Sequence, residues 1–204
     1  MRKVFLLLMM FSAAGAADAW ADGPAPNDVQ LGQPAYGGNG CPSGTASAVL
    51  SPDNKELSIL FDQYQASAGG STGLTIDRKS CNIAIPVHVP QGWSVSIFAI
   101  DYRGFNALPA GAYTRFNASY FFAGQAGPTY SKYFLGPLND DYLLNNTLAA
   151  AAVVWSGFGT DVILRANTSL MTQTNPAREE TLSTVDSADV QASLIYQFQW
   201  RQCW

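Results

Sequence analysis

The sequence predicts an all-β protein, a two-sheet β-sandwich or jelly roll of about nine or ten short strands. Apolar residues alternate with period two in several runs, which is typical of half-buried strands. Turn signals rich in Gly, Pro, Asn and Asp separate these runs at intervals of about 8 to 12 residues. No stretch sustains a helical period. A closed β-barrel is the alternative fold.

Residues 1–21 predict a secretory signal peptide. Arg2 and Lys3 precede an apolar run over residues 4–11, and small residues in an A-x-A pattern end at Ala21, with Ala19 as a second cleavage point. The apolar run is shorter than the roughly 18 residues that a transmembrane helix needs. We therefore expect a secreted protein without a transmembrane segment, extracellular or, in a Gram-negative bacterium, periplasmic.

Residues 22–40 predict a flexible N-terminal segment, a linker or a strap over the domain, because they are rich in Gly, Pro and Asn and show little periodicity. Residues 41–204 then form one β-sandwich domain. Only 13% of the residues are charged and the net charge is -4, which disfavours a nucleic-acid partner.

The first elements of the domain predict a β-hairpin. Two strand-like runs, residues 45–50 and 57–64, flank the sequence Ser-Pro-Asp-Asn-Lys at 51–55, a strong turn signal. Residues 66–73 are small and rich in glycine, so we expect a mobile loop there.

A central meander is predicted over residues 81–124, with strands at 82–89, 94–100 and 116–122. Pro86 lies inside the first of these strands. Because proline cannot donate a ladder hydrogen bond, this strand should lie at a sheet edge or carry a bulge.

The remaining chain predicts shorter strands at 129–134, 148–155 and 162–166, and a terminal strand at 193–201. The second of these is ambiguous, because four alanines favour helix while the following Val-Val-Trp favours strand. We expect Asn139 to Asp141 to cap the segment that follows them. The polar residues 167–183 predict a long surface loop.

Three cysteines, Cys41, Cys81 and Cys203, predict one disulfide in an oxidising compartment, since an odd count leaves one thiol over. A bond between Cys41 and Cys81 would tie the first strand to the start of the meander and stabilise the fold by about 4 kcal/mol. Cys203 can replace either partner. The cysteines lack zinc-ligand spacing and His88 is the only histidine, so we expect no metal site and no cofactor.

Ten short motifs occur in order along the chain and resemble a known family. They are Gly38-Asn39-Gly40-Cys41-Pro42, Ser51-Pro52-Asp53, Phe61-Asp62-x-Tyr64, Arg78-Lys79-x-Cys81, Asp101-Tyr102-Arg103-Gly104, Tyr120-Phe121-Phe122, Gly136-Pro137, Val154-Trp155-Ser156, Val185-Asp186-Ser187 and Gln199-Trp200-Arg201-x-Cys203. Together they resemble the secreted, uncharacterised family numbered 4360 among the domains of unknown function. The resemblance implies a small secreted β-protein and no assigned activity. It also implies a cysteine where this chain has Phe158, which agrees with an unpaired Cys203.

The candidate binding residues are Trp93, Asp101, Tyr102 and Arg103 on the second meander strand. Aromatic rings exposed on a β-surface can stack on sugars. This pattern favours a non-catalytic secreted module that binds a surface glycan or a protein partner. The structural alternative is that the aromatic residues are core and that Asp101 and Arg103 form a salt bridge.

A secreted hydrolase acting on an extracellular polymer is the alternative function. It would use Asp62 and Asp101 as paired acid and base, although no nucleophile motif accompanies them and no catalytic residue is assigned. Three sequons, at Asn117, Asn145 and Asn167, matter only in a host that adds N-linked glycans.

Overall fold

The computed structural model confirms the all-β sandwich. It describes residues 28, 30–32, 34–50, 52, 56–147, 154–185 and 194–203. These residues contain thirteen strands, more than the nine or ten expected, and one short 3₁₀ turn at Gly70–Thr72. The strands are β1 (Gln30–Leu31), β2 (Ala35–Gly37), β3 (Ala46–Leu50), β4 (Glu56–Phe61), β5 (Gln65–Ala68), β6 (Ile76–His88), β7 (Trp93–Leu108), β8 (Tyr113–Phe122), β9 (Thr129–Leu135), β10 (Leu138–Thr147), β11 (Val162–Gln173), β12 (Thr181–Thr184) and β13 (Leu194–Gln202).

One sheet has six antiparallel strands in the order β1-β6-β11-β8-β9, with β2 pairing to β6 beside β1. Strand β11 lies at its centre and pairs along its whole length with β6, from Val162 opposite Val87 to Gln173 opposite Ile76. On its other side β11 pairs with β8, and β9 forms the edge.

The second sheet has seven strands in the order β3-β4-β13-β7-β12-β5, with β10 on the opposite edge of β7. The predicted hairpin is confirmed, because β3 pairs with β4 from Ala46 opposite Phe61 to Leu50 opposite Leu57. In the part of the chain that the structure describes, neither sheet closes on itself, so the barrel alternative is wrong.

The core lies between the two sheets and draws on the inward face of each. Ile83, Ile85 and Leu164 from the six-stranded sheet and Ile59 and Val95 from the seven-stranded sheet are all buried in one apolar cluster. Burying such side chains stabilises a fold by about 1.5 to 3 kcal/mol each. The alternation seen in the sequence therefore reflects one shared core.

Strand β6 is not an edge strand, yet Pro86 lies where its pairing is interrupted. Strands β1 and β2 both pair with the same side of β6, but the segment between them does not continue this pairing. In that gap the Gly32 amide donates to the Pro86 carbonyl oxygen at 2.8 Å. In an antiparallel ladder the N–H and C=O of one residue point to the same side, so the missing N–H of Pro86 faces this break.

The disulfide joins Cys41 to Cys81, as preferred from the sequence, and Cys203 is unpaired. It links the loop before β3 to the middle of β6. The Asn39 side chain reinforces this link, since its amide nitrogen donates to the Arg78 carbonyl oxygen and its oxygen accepts from the Ser80 amide.

Three predicted features are wrong. Residues 167–183 are not one loop, because β11 continues to Gln173 and β12 follows. Residues 66–68 belong to β5, which pairs with β12. Asn139 to Asp141 do not cap a turn but lie in β10, whose ten residues pair in register with β7.

Of the strand predicted at 148–155, residues 148–153 lie outside the described residues, and Trp155 forms a single bridge to Ser96.

No helix among the described residues is long and apolar enough to span a membrane.

Candidate functional site

The binding residues predicted on β7 do not form one group. Trp93 begins the strand and is half-buried against the core. Asp101 and Arg103 lie eight and ten residues further along, roughly 26 Å or more from it at the rise of a β-strand. They share the outer face of the seven-stranded sheet, Asp101 half-buried and Arg103 exposed. Their role in binding stays a prediction.

Tyr102 is a core residue, so the expectation that its ring is exposed is wrong. Its side chain is 0% exposed, packs edge-on against Phe116 with ring centroids 4.9 Å apart, and stacks on Tyr130 at 5.4 Å. The cause is a β-bulge in β7, which changes the residues that face the core from odd-numbered to even-numbered positions. Opposite Gln197 and Phe198 the pairing with β13 shifts register, which leaves one extra residue in β7. Such a bulge turns the following residues to the other face, so Val95 and Tyr102 both face the core.

The outer face of the six-stranded sheet presents a regular array of polar side chains, here called the ladder face. Strand β8 alternates strictly between half-buried outward residues and buried inward residues. Because β8 lies between β9 and β11, its outward residues have partners on both sides in the same rows. The residues that define the ladder face are Tyr113, Arg115, Asn117 and Ser119 on β8, Ser131 and Tyr133 on β9, Arg165, Asn167, Ser169 and Gln173 on β11, and Arg78 and Asn82 on β6.

Side-chain hydrogen bonds run across the ladder face from strand to strand. The Ser131 hydroxyl donates to Asn117 Oδ1 at 2.8 Å, and Asn117 Nδ2 donates to the Ser169 hydroxyl oxygen at 3.3 Å. Two rows further along, the Tyr113 hydroxyl donates to Gln173 Oε1 at 3.0 Å. These bonds hold the amide and hydroxyl groups in fixed orientations, which lowers the entropy cost of binding a polar ligand.

Aromatic rings flank these rows at one end. Tyr133 is 53% exposed, its ring centroid lies 6.5 Å from that of Tyr113, and the Arg115 guanidinium lies 5.9 Å from it. Arg115 Nη1 also donates to the Tyr133 hydroxyl oxygen at 3.3 Å. The Tyr133 ring is therefore both solvent-accessible and held in place.

Sequence reasoning missed the ladder face, although one signal for it was present. Within β11, the buried residues Leu164, Ala166 and Leu170 alternate with Asn167 and Ser169. That alternation crosses residue 167, where the predicted strand ended and the predicted loop began. Without the β8 to β11 register, the amides of two distant segments cannot be assigned to one surface.

A polar cleft of about 330 Å³ lies where β5 meets the start of β6. Its walls include Asp62, Gln65, Asp77 and Lys79. Asp77 is already engaged, because it accepts a hydrogen bond from the Ser67 amide at 3.1 Å and lies 3.4 Å from the Lys79 ammonium. Much of the cleft's charge therefore stabilises the junction between the two sheets.

The two carboxylates proposed for a hydrolase are not paired. Ser58, Ile195 and Asp101 lie opposite one another on β4, β13 and β7, and Asp62 lies four residues beyond Ser58. Strand rise and strand spacing then put Asp62 and Asp101 roughly 16 Å apart along the sheet. This backbone separation exceeds the roughly 5 to 9.5 Å between the carboxyl groups of glycosidases, so the register does not support Asp62 and Asp101 as a paired acid and base.

A cluster of aromatic rings around Arg201 closes one end of the seven-stranded sheet. The guanidinium lies 4.4 Å from the ring centroid of Trp155 and 4.9 Å from that of Phe158. Backbone bonds from Ser156 to Val95 and from Gly159 to Trp93 fix the same loop to β7. The arrangement fastens the loop before β11 to the last strand.

His88 and Asp161 form an exposed pair, with Nδ1 and Oδ1 2.6 Å apart. A polar contact as exposed as this one contributes little to stability. Among the residues that the structure describes, no three His, Cys, Asp or Glu side chains group in a way that could hold a metal ion.

Two of the three sequons place their asparagines, Asn117 and Asn167, on the ladder face. The third, Asn145, lies in β10. An N-linked glycan at either of the first two positions would cover part of the ladder face, so binding is best measured on protein made without N-glycosylation.

The fold, the disulfide and the sequence together define a β-sandwich protein of the secreted class. A family model described as a domain of unknown function, DUF4360, matches residues 27–203. The chain belongs to this family, which confirms the resemblance read from the ten motifs. An uncharacterised secreted protein of Arthroderma benhamiae is 34% identical over 181 residues, covering 88% of this chain and 74% of the relative. The expectation of a secreted protein is confirmed.

Among solved structures, the chain is similar to TmCBM61 in complex with β-1,4-galactotriose. The identity is 8%, the match covers 83% of this chain and 88% of the other, and the TM-score is 0.29. A likeness this weak carries no argument about the ligand of this protein.

Proposed function

We propose that this secreted protein is a non-catalytic module that binds a polysaccharide on the ladder face. One observation carries the proposal: the hydrogen-bonded row from Ser131 through Asn117 to Ser169, next to the exposed ring of Tyr133. Sugars offer hydroxyl groups at their edges and C–H groups on their faces. A ligand site for them needs oriented hydrogen-bonding groups beside an accessible aromatic ring.

The ladder face supplies both kinds of contact on a rigid support. Asn117 has one further lone pair on its oxygen, and Ser131, Asn82 and Tyr133 are exposed. The face crosses β6, β11, β8 and β9, so at a spacing of about 4.8 Å it is roughly 15 Å wide between its outer strands. That width suits an extended chain of sugars better than a single small molecule.

The test is retention of the secreted protein, made without N-linked glycans, on a panel of insoluble polysaccharides, with released sugars assayed in the same tubes. Tyr133→Ala should weaken binding to the retained polymer by roughly tenfold, about 1.4 kcal/mol, while the protein still unfolds in one cooperative transition. Leu143→Ala is the matched control, because Leu143 is 54% exposed on the other sheet.

Equal retention of Tyr133→Ala and the wild type would contradict the ladder face as the binding surface. Release of soluble sugars would contradict the non-catalytic assignment and favour the hydrolase alternative, with Asp62 and Asp101 substituted separately.

A further inference from the structure

Positive charge is concentrated on the ladder face of an acidic protein. The chain has 15 Asp and Glu residues against 11 Lys and Arg. Yet the described outward positions of β6, β8, β9 and β11 carry Arg78, Arg115 and Arg165 and no Asp or Glu. Asp161, which precedes β11, contacts His88. The arginines of this face thus have no carboxylate partner within 4 Å among the described residues.

Two of these arginines flank one residue. Arg78 and Arg115 lie directly opposite Met171 on either side, so their Cα atoms are roughly 10 Å apart. Met171 is on the outer face and is only 7% exposed, consistent with coverage by its two neighbours. Arg115 Nε is buried and has no hydrogen-bond partner among the described residues. The Arg115 guanidinium contacts Tyr133 on β9, whereas Arg78 lies on β6. The face therefore carries positive charge on both sides of Met171, and such charge attracts an anion.

The third arginine marks the far end of the array. Arg165 lies six residues from Met171 along β11, roughly 20 Å at the rise of a strand. Between the two positions lie the amides and hydroxyls of Asn167 and Ser169 and their neighbours on β8. Cationic groups therefore stand at both ends of a neutral hydrogen-bonding surface.

We propose that the ladder face binds an acidic polysaccharide, one whose uronate sugars carry carboxylates. This inference rests on the proposed function and names its ligand class. The guanidinium groups bind carboxylates through paired N–H donors, the amides and hydroxyls between them bind sugar hydroxyls, and Tyr133 contacts a ring face. A polymer that repeats its carboxylate along the chain meets both arginine positions at once.

The decisive comparison uses polygalacturonate with free carboxylates and the same polymer fully methyl-esterified, with the protein free of N-linked glycans. We expect esterification to weaken binding by at least about tenfold, and added salt to weaken only the binding of the free acid. Arg78→Gln and Arg165→Gln should each weaken binding of the free acid several-fold and leave the esterified polymer unaffected. Arg178→Gln is the control, because Arg178 is exposed in the turn before β12, away from the ladder face.

Each other outcome is informative. Equal binding of the free and esterified polymers would overturn the acidic-ligand inference and leave the proposed function standing. Displacement by an equal charge of polyglutamate would also overturn it, since the face would then respond to charge alone. Failure to bind either polymer, or any other polysaccharide of the panel, would contradict the proposed function itself.

Discussion

Removal of the Cys41–Cys81 disulfide is a direct test of how this sandwich is held together. The bond closes a segment with a sequence separation of 40 residues. That segment contains the β3–β4 hairpin and β5, which belong to the seven-stranded sheet, and it ends in β6 of the six-stranded sheet. In the double variant Cys41→Ala, Cys81→Ala the unfolded chain regains the conformational entropy that the bond removes, so the folded state becomes less stable relative to it.

The expected loss follows from the size of the loop. For about 40 residues the chain-entropy relation gives a loss of about 4 kcal/mol at 25 °C. In a domain of this size, each kcal/mol corresponds to about 2 to 4 °C, so the melting temperature should fall by about 8 to 16 °C. Both cysteines are fully buried in the core, so the smaller alanines leave space that adds to this loss.

Urea unfolding followed by tryptophan fluorescence measures the change, with Cys203→Ser as the matched control because Cys203 is unpaired. The control should unfold as the wild type does. A loss below about 1 kcal/mol in the double variant would show that the disulfide does not stabilise the fold as expected, and so would a control that loses as much as the double variant.

Three further predictions concern the core and one loop. Burial raises the pKa of Tyr64 above its ordinary 10.0, so the unfolded chain loses this proton first, and above pH 10 the free energy of unfolding should fall by up to about 1.4 kcal/mol per pH unit. Tyr64→Phe should remove that part of the alkaline slope. Gly40→Ala should cost about 2 kcal/mol, because the added carbon would lie 2.5 Å from the Tyr64 ring, whereas the same change at Gly37 meets nothing within 4 Å. Arg201→Met should cost about 1 kcal/mol without changing polysaccharide binding, because its guanidinium lies over two aromatic rings.

Urea titrations between pH 8 and 11 and at pH 7 check these three expectations. An identical alkaline slope in Tyr64→Phe would contradict the first. Equal stability of the Gly40→Ala and Gly37→Ala variants would contradict the second. Loss of polysaccharide binding in Arg201→Met at an unchanged stability would show that the aromatic cluster, and not the ladder face, holds the ligand.

The strands of the meander were predictable because alternation is a local property. Residues such as Ile83, Ile85 and Val87 show their inward face without any knowledge of their partners. Strand β10 could not be found in this way. Its sequence, LNDDYLLNNT, shows no clean alternation, and it is a strand because the long β7 offers it ten pairing positions.

The candidate site depends even more on pairing. The orientation of Tyr102 changes with a single extra residue in β7, which only the register with β13 reveals. The ladder face combines Ser131, Asn117 and Ser169, which are 14 and 52 residues apart in the sequence. Each alone is an ordinary polar residue of a strand, and the antiparallel register of three strands brings them into one hydrogen-bonded row.

NMR can locate the polysaccharide on the surface of the protein. Backbone amide shifts of the ¹⁵N-labelled secreted protein are recorded while a soluble oligosaccharide of the retained polymer is added. We expect the largest changes on β8, β9 and the middle of β11, with Asn117, Ser131 and Tyr133 among them. Changes concentrated at Asp101 and Arg103 on β7, with β8 and β9 unaffected, would contradict this expectation.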